Sequence, residues 1–307
     1  MKPTVEPSDF AGGRKLVDFE RKERARSIRI EKRKEKKKRQ DERRKIREAL
    51  GDKAPPKLQP KTIENTREQD VTMVDPADEE VIQDEALDEM STYFNRVTKP
   101  KVLITISPGA KQETWKFCHE LHNCIPNSDM YSRKSCPMKK VVKRAIEEGF
   151  TDIIVINEDR RIPNAMTICH LPSGPTAYFR LRSIQRSKEL KRHGAITDHY
   201  PEVILNNFNT RLGHTVGRML ACLFPYDPQF RGRRVVTFHN QRDYIFFRHH
   251  RYEFKNGGKR AALLELGPRF TLRLRSLQKG TFDTKFGEYE WILKRHEMEA
   301  SRRRFVL

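Results

Sequence analysis

Two stretches of ten residues in this chain are nearly identical, and this repetition constrains the fold more than any other feature. Residues 174–183 read GPTAYFRLRS and residues 267–276 read GPRFTLRLRS. Each begins with a Gly-Pro turn signal and continues with the alternating apolar and polar residues of a β-strand. We infer an internal duplication, in which two similar halves pack into one domain and each half ends on a hairpin.

Short apolar runs alternate with amphipathic segments before the first copy. The runs KVLITIS and TDIIVINED predict buried strands, and Met130 and Tyr131 belong to a shorter strand between them. The segments KQETWKFCHELHNC and MKKVVKRAIEEGF have apolar residues at helical spacing. This order predicts an α/β fold with some parallel pairing, followed by a hairpin over AMTICHLPSGPTAYFRLRS.

The second half has a related order. The segment ILNNFNTRLGHTVGRMLACLF predicts one buried helix, with apolar residues at helical spacing: Phe208, Leu212, Val216, Met219, Leu220 and Leu223. Two strands are expected around the bend HNQRD. The stretch AALLELGPRFTLRLRS then predicts a strand, a Gly-Pro turn and a final strand.

Arginines occupy the same phase in both copies of the repeat. Side chains alternate between the two faces of a strand, so these arginines face away from the apolar residues between them. They are Arg180, Arg182, Arg269, Arg273 and Arg275. Guanidinium groups about 7 Å apart approach the spacing of successive phosphates in a nucleic acid, and each can form two hydrogen bonds to phosphate oxygens. The alternative is an ordinary solvated strand face.

Aromatic residues are interleaved with Arg and His between Arg231 and Lys255. Tyr244, Phe246, Arg248, His250, Tyr252 and Phe254 share one face of the predicted strand, and Ile245, Phe247, His249 and Arg251 share the other. Such rings can stack on unpaired bases. The alternative, which we favour for the phenylalanines, is that the large rings are core residues.

The net charge of +21 over 307 residues favours a polyanionic partner. Eighteen Lys or Arg residues stand against eight Asp or Glu residues between Arg14 and Leu50, which predicts a basic helix or a disordered arm. This basic arm fits a nuclear-localisation signal, an RNA-binding helix or a solubilising tail, and we favour nuclear import with RNA contact. Its candidate residues are Lys32, Arg33, Lys34, Lys36, Lys37, Lys38, Arg39, Arg43 and Arg44.

An acidic patch from Val74 to Met90 has eight Asp or Glu residues and no Lys or Arg, and it could shield basic surface until a partner arrives. Together, the charge pattern and the order of the predicted elements divide the chain into four parts. We expect a basic arm at 1–50, a linker with the acidic patch at 51–98, an α/β domain at 99–285 with halves at about 99–185 and 200–280, and a C-terminal extension at 286–307.

Catalytic and metal sites have weak support. Glu158 and Asp159 follow an apolar strand as in an ATPase magnesium site, but no Gly-rich phosphate loop accompanies them. Ser173 lacks the flanking glycines of a nucleophile elbow. Zinc ligands could come from Cys118, His119, His122, Cys124 and Cys136, but their spacing favours core packing. We expect no enzyme, no metal and no cofactor.

Membrane insertion and disulfide bonding are not expected either. The longest unbroken apolar run, Met219 to Phe224, is too short to span a bilayer. Five scattered cysteines do not make a disulfide framework, so we expect reduced thiols inside the cell.

The stretch GRRVVTFHNQRDYIFFRHHRYEF, followed by ELGPRFTLRL, closely resembles the signature of the Brix domain family of ribosome assembly factors. FTDIIVINEDRR, HLPSGPTAYF and SLQKGTFDTKFGEYEW support the resemblance, which covers residues 99–307. It implies two similar α/β halves, each like the anticodon-binding domain of class II aminoacyl-tRNA synthetases. It also implies a non-enzymatic protein that binds precursor rRNA in the nucleolus together with a small protein partner.

The branch of the family that the chain resembles most implies the precursor of the large (60S) subunit, other pre-60S assembly factors, and the protein called maintenance of killer sixteen as a heterodimer partner. A Brix factor of small-subunit assembly and a module that mainly binds proteins remain alternatives. The candidate RNA-binding residues of the domain are Arg180, Arg182, Arg233, Arg234, Arg242, Arg248, Arg251, Arg269, Arg273, Arg275 and Lys279.

Overall fold

The chain divides into two compact units, residues 1–62 and 63–307. The computed structural model describes residues 9–51, 60–62, 64–68, 71–75, 78–258, 260–283, 286–294 and 304–307.

The first unit contains one long helix, α1 (Asp9–Leu50). Neither Gly nor Pro occurs from Arg14 to Leu50, and Lys, Arg and Glu are good helix formers. Ion pairs one turn apart add to the stability of the helix, as between Arg39 and Glu35 at 2.6 Å. All nine candidate residues of the basic arm lie on this helix and are exposed. Of the two forms expected for the arm, the helical one is therefore observed.

The described strands of the second unit form one mixed sheet of eleven strands. They are β1 (Val102–Ile106), β2 (Ser128–Tyr131), β3 (Asp152–Asp159), β4 (Ile162–His170), β5 (Thr176–Gln185), β6 (Glu202–Asn206), β7 (Arg234–Gln241), β8 (Tyr244–Lys255), β9 (Arg260–Glu265), β10 (Arg269–Gln278) and β11 (Tyr289–Ile292). Their order is β2-β1-β3-β4-β5-β10-β8-β7-β6, with β11 paired to β10 and β9 paired to β8.

Among the described residues, five further α-helices accompany the sheet: α2 (Glu79–Leu87), α3 (Ser91–Phe94), α4 (Gln112–Cys124), α5 (Met138–Glu147) and α6 (Arg211–Ala221). Buried residues of α4 and α6 belong to one large core. The α5 helix packs in a smaller core against the alternate residues of β1 and β3, on the opposite face of the sheet. Among the described residues, none of the helices is long and apolar enough to cross a membrane.

The two halves share a strand order, as the repeat predicted. In the first half β1 is parallel to β3, and antiparallel β4 and β5 follow. In the second half β6 is parallel to β7, and antiparallel β8 and β10 follow. The two repeated stretches form β5 and β10, which pair antiparallel and join the halves. The prediction of an α/β domain built from two similar halves is thus confirmed.

Two local predictions for the second half were wrong. The predicted helix began too early, because Glu202–Asn206 is instead the edge strand β6 and the helix begins at Arg211. Thr210 sets this start, since its side chain accepts a hydrogen bond from Gly213 N at 2.9 Å. The final hairpin is also absent, because β9 and β10 each pair with a different part of β8 and not with each other.

Aromatic rings join the halves inside the large core. Phe117 of α4 meets the edge of Phe270 with ring centres 5.6 Å apart, and Phe270 stacks on Phe247 at 4.3 Å. Phe247 contacts Phe238 of β7, which contacts Phe224 after α6. Burial of these rings stabilises both halves together and explains why Phe247 is a core residue.

Candidate nucleic-acid interface

One face of the sheet is open at the junction of the halves. No described helix of residues 63–307 covers β5, β10 and β8 on the face where α5 packs against β1 and β3. We call this exposed region the arginine face and define it by Arg180, Arg182, Tyr244, Phe246, Arg248 and Arg273.

Arg180 of β5 and Arg273 of β10 are directly opposed across the junction. Opposed residues have Cβ atoms about 5 Å apart, and like charges in such positions destabilise a sheet. Arg182 opposes Thr271 on the same face. Within the described part of the chain, the side chains of Arg180 and Arg182 form neither a hydrogen bond nor an ion pair, and both residues are exposed. This concentration of unneutralised positive charge favours an anionic ligand.

Aromatic rings flank these cations. The Arg273 guanidinium lies 5.0 Å from the Tyr244 ring centre and donates a hydrogen bond to its hydroxyl at 3.1 Å. The Arg248 guanidinium lies 5.8 Å from the Phe246 ring centre. Burial, followed by the nearby charge of Arg269, lowers the pKa of Arg248. The guanidinium groups can bind phosphates, and the half-exposed rings of Tyr244 and Phe246 can stack on unpaired bases. Both parts of a nucleic acid can therefore bind to this surface.

Three other candidates on or after β10 have different surroundings. Arg269 is half-buried and donates hydrogen bonds to both carboxylate oxygens of Glu265. Arg275 lies at a bulge between residues 274 and 276 and is half-buried. Lys279 is exposed after β10, in a cavity that carboxylates such as Glu290 also line. An anion at Arg269 would have to compete with an ion pair that is already formed.

Arg234 requires a correction, because it is 2% exposed and lies in the core. Its guanidinium donates to the carbonyl oxygens of His199 at 2.7 Å, Asn123 at 3.3 Å and Cys124 at 3.2 Å, and also to that of Thr197. These carbonyls include the C-terminal end of α4, where a cation is favourable. We therefore reassign Arg234 from RNA contact to structural support, since RNA cannot reach it in this conformation.

Three remaining candidates lie outside the arginine face. Arg251 is on the opposite face of β8 and donates to Ala195 O at 3.2 Å. Arg233 precedes β7, and Arg242 lies in the turn between β7 and β8. Both are exposed and have positive φ angles, 46° and 56°. The structure thus brings together Arg180, Arg182, Arg248 and Arg273 from the predicted set, with Arg269 beside Arg248 but paired with Glu265.

Three of the residues weighed as catalytic residues or metal ligands have structural surroundings: Glu158, Cys118 and Cys124. Glu158 accepts hydrogen bonds from Lys111 N at 2.7 Å and Thr114 Oγ1 at 2.5 Å, and so caps the start of α4. Cys118 and Cys124 are buried in the core, and burial raises the pKa of both thiols to about 12. Among the described residues, no group of three potential metal ligands converges.

The acidic patch folds against α6, which sequence reasoning did not anticipate. Glu85 of α2 lies 2.7 Å from His214, and Asp88 accepts a hydrogen bond from Arg218 at 2.8 Å. Exposed Arg211 lies 3.3 Å from Glu80. These pairs place the patch against cations of α6 and not against the arginines of the repeat.

Two similar α/β halves joined in one mixed sheet are the fold of a Brix domain. The family model described as the Brix domain matches residues 107–276, more than half of the chain. The chain belongs to the Brix domain family.

Two relatives place the chain within the family. It is 62% identical over 285 residues to a Brix domain-containing protein of Caenorhabditis elegans, covering 93% of this chain and 74% of that protein. It is 60% identical over 261 residues to Ribosome production factor 1 of Xenopus laevis, covering 85% of this chain and 76% of the relative. These similarities support a role in ribosome biogenesis.

A solved structure also resembles the chain. It is a probable ribosomal biogenesis protein of Aeropyrum pernix, 16% identical, with a TM-score of 0.43, covering 64% of this chain and 99% of that one.

Proposed function

We propose that the protein is a non-catalytic assembly factor that binds precursor rRNA of the large ribosomal subunit through the arginine face. The observation that carries this proposal is the opposed pair of exposed Arg180 and half-exposed Arg273, beside Tyr244 and Phe246. Each half of the domain contributes one arginine to a single point on the surface. Phosphates neutralise this charge, and half-exposed rings provide stacking for unpaired bases.

The basic arm extends the same function. Its exposed Lys and Arg residues suit sequence-independent contact with the rRNA backbone and recognition for import into the nucleus. We accordingly propose that the protein acts in the nucleolus, with other pre-60S factors and with the protein called maintenance of killer sixteen as a heterodimer partner. Membership of the family and similarity to Ribosome production factor 1 support this assignment.

The proposal is tested by crosslinking the tagged, full-length protein in cells, followed by sequencing of the bound RNA and identification of co-purifying proteins. Discrete crosslinks in large-subunit precursor rRNA, with one small protein enriched, are expected. Crosslinks in small-subunit precursors would move the protein to that pathway. Recovery of partner proteins without any RNA would instead favour a protein-interaction module.

A further inference from the structure

A groove of about 330 Å³ lies on the first half of the sheet, between α5 and the edge formed by β1 and β2. Leu103 of β1 and Val141 and Ala145 of α5 form an apolar floor. An apolar floor can remove one side of a flat ring from water, which is favourable. The volume lies at the lower end of the range for small-molecule sites, so the groove suits a single compact group and not a helix.

Three cations line this groove, together with a single carboxylate. Arg133 is held in place by hydrogen bonds to Ile106 O at 3.3 Å and Cys136 O at 3.5 Å. Lys140 and Arg144 lie one turn apart on α5, and both are exposed. The carboxylate, on Glu148, pairs with Arg144 at 2.7 Å. These side chains leave an excess of positive charge, which favours an anionic group on the occupant, and that group would compete with Glu148 for Arg144.

Two further side chains suit an aromatic and polar occupant. Tyr131, at the end of β2, lines the groove and remains 56% exposed, so one face of its ring is open for stacking. Thr105 also lines the groove and is 1% exposed, and its Oγ1 has no hydrogen-bond partner in the described structure. A buried hydroxyl without a partner costs free energy, which a polar ligand atom reaching it would recover.

We propose that this groove binds one nucleotide unit, with its base against Tyr131 and the apolar floor and its phosphate at Lys140 and Arg144. A nucleotide combines in one small molecule the flat ring and the anion that the lining requires. A free nucleotide and an unpaired nucleotide of an RNA chain share this chemistry. The site is separate from the arginine face and does not depend on the function proposed for it.

The alkylation rate of Cys136 can report whether the groove is occupied. Cys136 lines the groove and is half-exposed, whereas the other four cysteines are buried. Alkylation of the full-length protein by iodoacetamide, followed by mass spectrometry, should therefore modify Cys136 first. A millimolar mixture of 5′-nucleoside monophosphates should slow this modification. The rate should fall in proportion to the fraction of grooves occupied.

Nucleoside monophosphates and a short RNA, used as separate probes, distinguish a site for free nucleotides from a site for a nucleotide within an RNA chain. Protection by the monophosphates and by a short unstructured RNA supports a site open to free nucleotides. Protection by the RNA alone supports a site that binds one unpaired nucleotide within an RNA chain. If neither protects Cys136, the proposal is overturned. Equal protection by inorganic phosphate or by a glutamate-rich peptide would also overturn it, because the groove would then select only for charge.

A matched pair of double variants separates the groove from general electrostatics. Lys140→Ala with Arg144→Ala removes two cations that line the groove, and we expect roughly tenfold weaker protection. Lys139→Ala with Lys143→Ala removes the same charge at the same spacing on α5 from exposed positions outside the lining, and protection should stay unchanged. Each variant is compared with its own unprotected alkylation rate. Equal weakening in both would contradict the proposal.

Tyr131→Ala tests the stacking component. Loss of the ring should weaken protection by monophosphates roughly tenfold, within the range for base stacking on an aromatic side chain. The residue is exposed, so an unchanged unfolding temperature is expected. If nucleotides protect the variant as well as the parent protein, the base does not bind where we have placed it.

Discussion

Arg180 of β5 opposes Arg273 of β10, and these are the two strands through which the described halves of the sheet pair. Leu181 opposes Leu272 on the other face, within the core. The repeated sequence thus places matched apolar residues in the core and matched arginines outside it. Antiparallel pairing of the two copies doubles the charge at one point, which neither half could achieve alone.

Removing this pair should weaken RNA binding without unfolding the domain. For Arg180→Ala with Arg273→Ala, we expect affinity for precursor rRNA to fall and the salt dependence of binding to decrease by roughly one unit of log–log slope per lost phosphate contact. Thermal stability should hold or rise slightly, because opposed like charges are relieved. Binding measured at several salt concentrations, with exposed Lys188→Ala and Lys191→Ala as the charge-matched control, checks this. Equal losses in both variants would mean that the arginine face has no special role.

Replacing the buried Arg234 should lower the stability of the domain without weakening RNA binding. Arg234→Met would leave the carbonyl oxygens of His199, Asn123 and Cys124 without their donor, so we expect the free energy of unfolding to fall by about 3 kcal/mol. Arg234→Lys should also destabilise, since an ammonium cannot reproduce the planar fork of donors. Urea denaturation measures both. RNA affinity per folded molecule should not change, and a selective loss of affinity would return Arg234 to the binding surface.

The sequence predicted strand positions and side-chain phases well, because both follow from local periodicity. Phe179 and Leu181 are buried and Arg180 and Arg182 are exposed, as alternation requires. The phase of a residue does not show which strand it will pair with, however. The pairing of β5 with β10 is a long-range choice, and so the opposition of Arg180 and Arg273 could be seen only in the structure.

The burial of Arg234 was the second feature that the local sequence pattern could not predict. Arg234 resembles Arg233 and Arg242 in sequence context, yet it alone of the three is buried. Its guanidinium donates to backbone carbonyls of α4 and of the segment before β6, which no side-chain pattern reports, and its Nε donates to the buried His249 Nε2 at 3.2 Å. The edge strand β6 was missed for a related reason, since its short apolar run precedes a strong helical pattern without a clear break.

A buried histidine should make stability depend on pH. Burial of His170 opposes its protonation, but the hydrogen bond between Nδ1 and Asp152 Oδ1 at 2.8 Å and the charge of Asp152 outweigh it, so the pKa of His170 is raised. Nε2 lies 3.2 Å from Glu89 O, which the charged ring can also engage as a donor. The stability from the charged ring is complete below about pH 6.5, the unfolded value, and is lost as pH rises through the folded pKa.

The matched variant for this test is Asp152→Asn, which removes the charge and keeps the shape of the side chain. Urea unfolding of the parent protein should show stability declining above about pH 6.5, and the decline should be smaller in Asp152→Asn. At pH 6 the variant should be the less stable of the two proteins. Parallel pH profiles would show that Asp152 does not raise the pKa of His170.

The packing of the acidic patch against α6 should depend on one arginine of that helix, Arg218. Arg218 donates two hydrogen bonds to Asp88, at 2.8 and 2.9 Å, one to Glu85 O at 2.8 Å, and lies 4.0 Å from the Phe94 ring centre. Because this guanidinium is largely buried, Arg218→Ala leaves a carboxylate and a carbonyl without their donor. We expect faster amide hydrogen exchange in α2 and a loss of about 1–3 kcal/mol in unfolding free energy.

The control is Arg211→Ala, which removes a more exposed guanidinium from the same helix and should lower the unfolding free energy by less than about 1 kcal/mol. Similar exchange in both variants would mean that apolar packing, and not Arg218, holds the patch on α6.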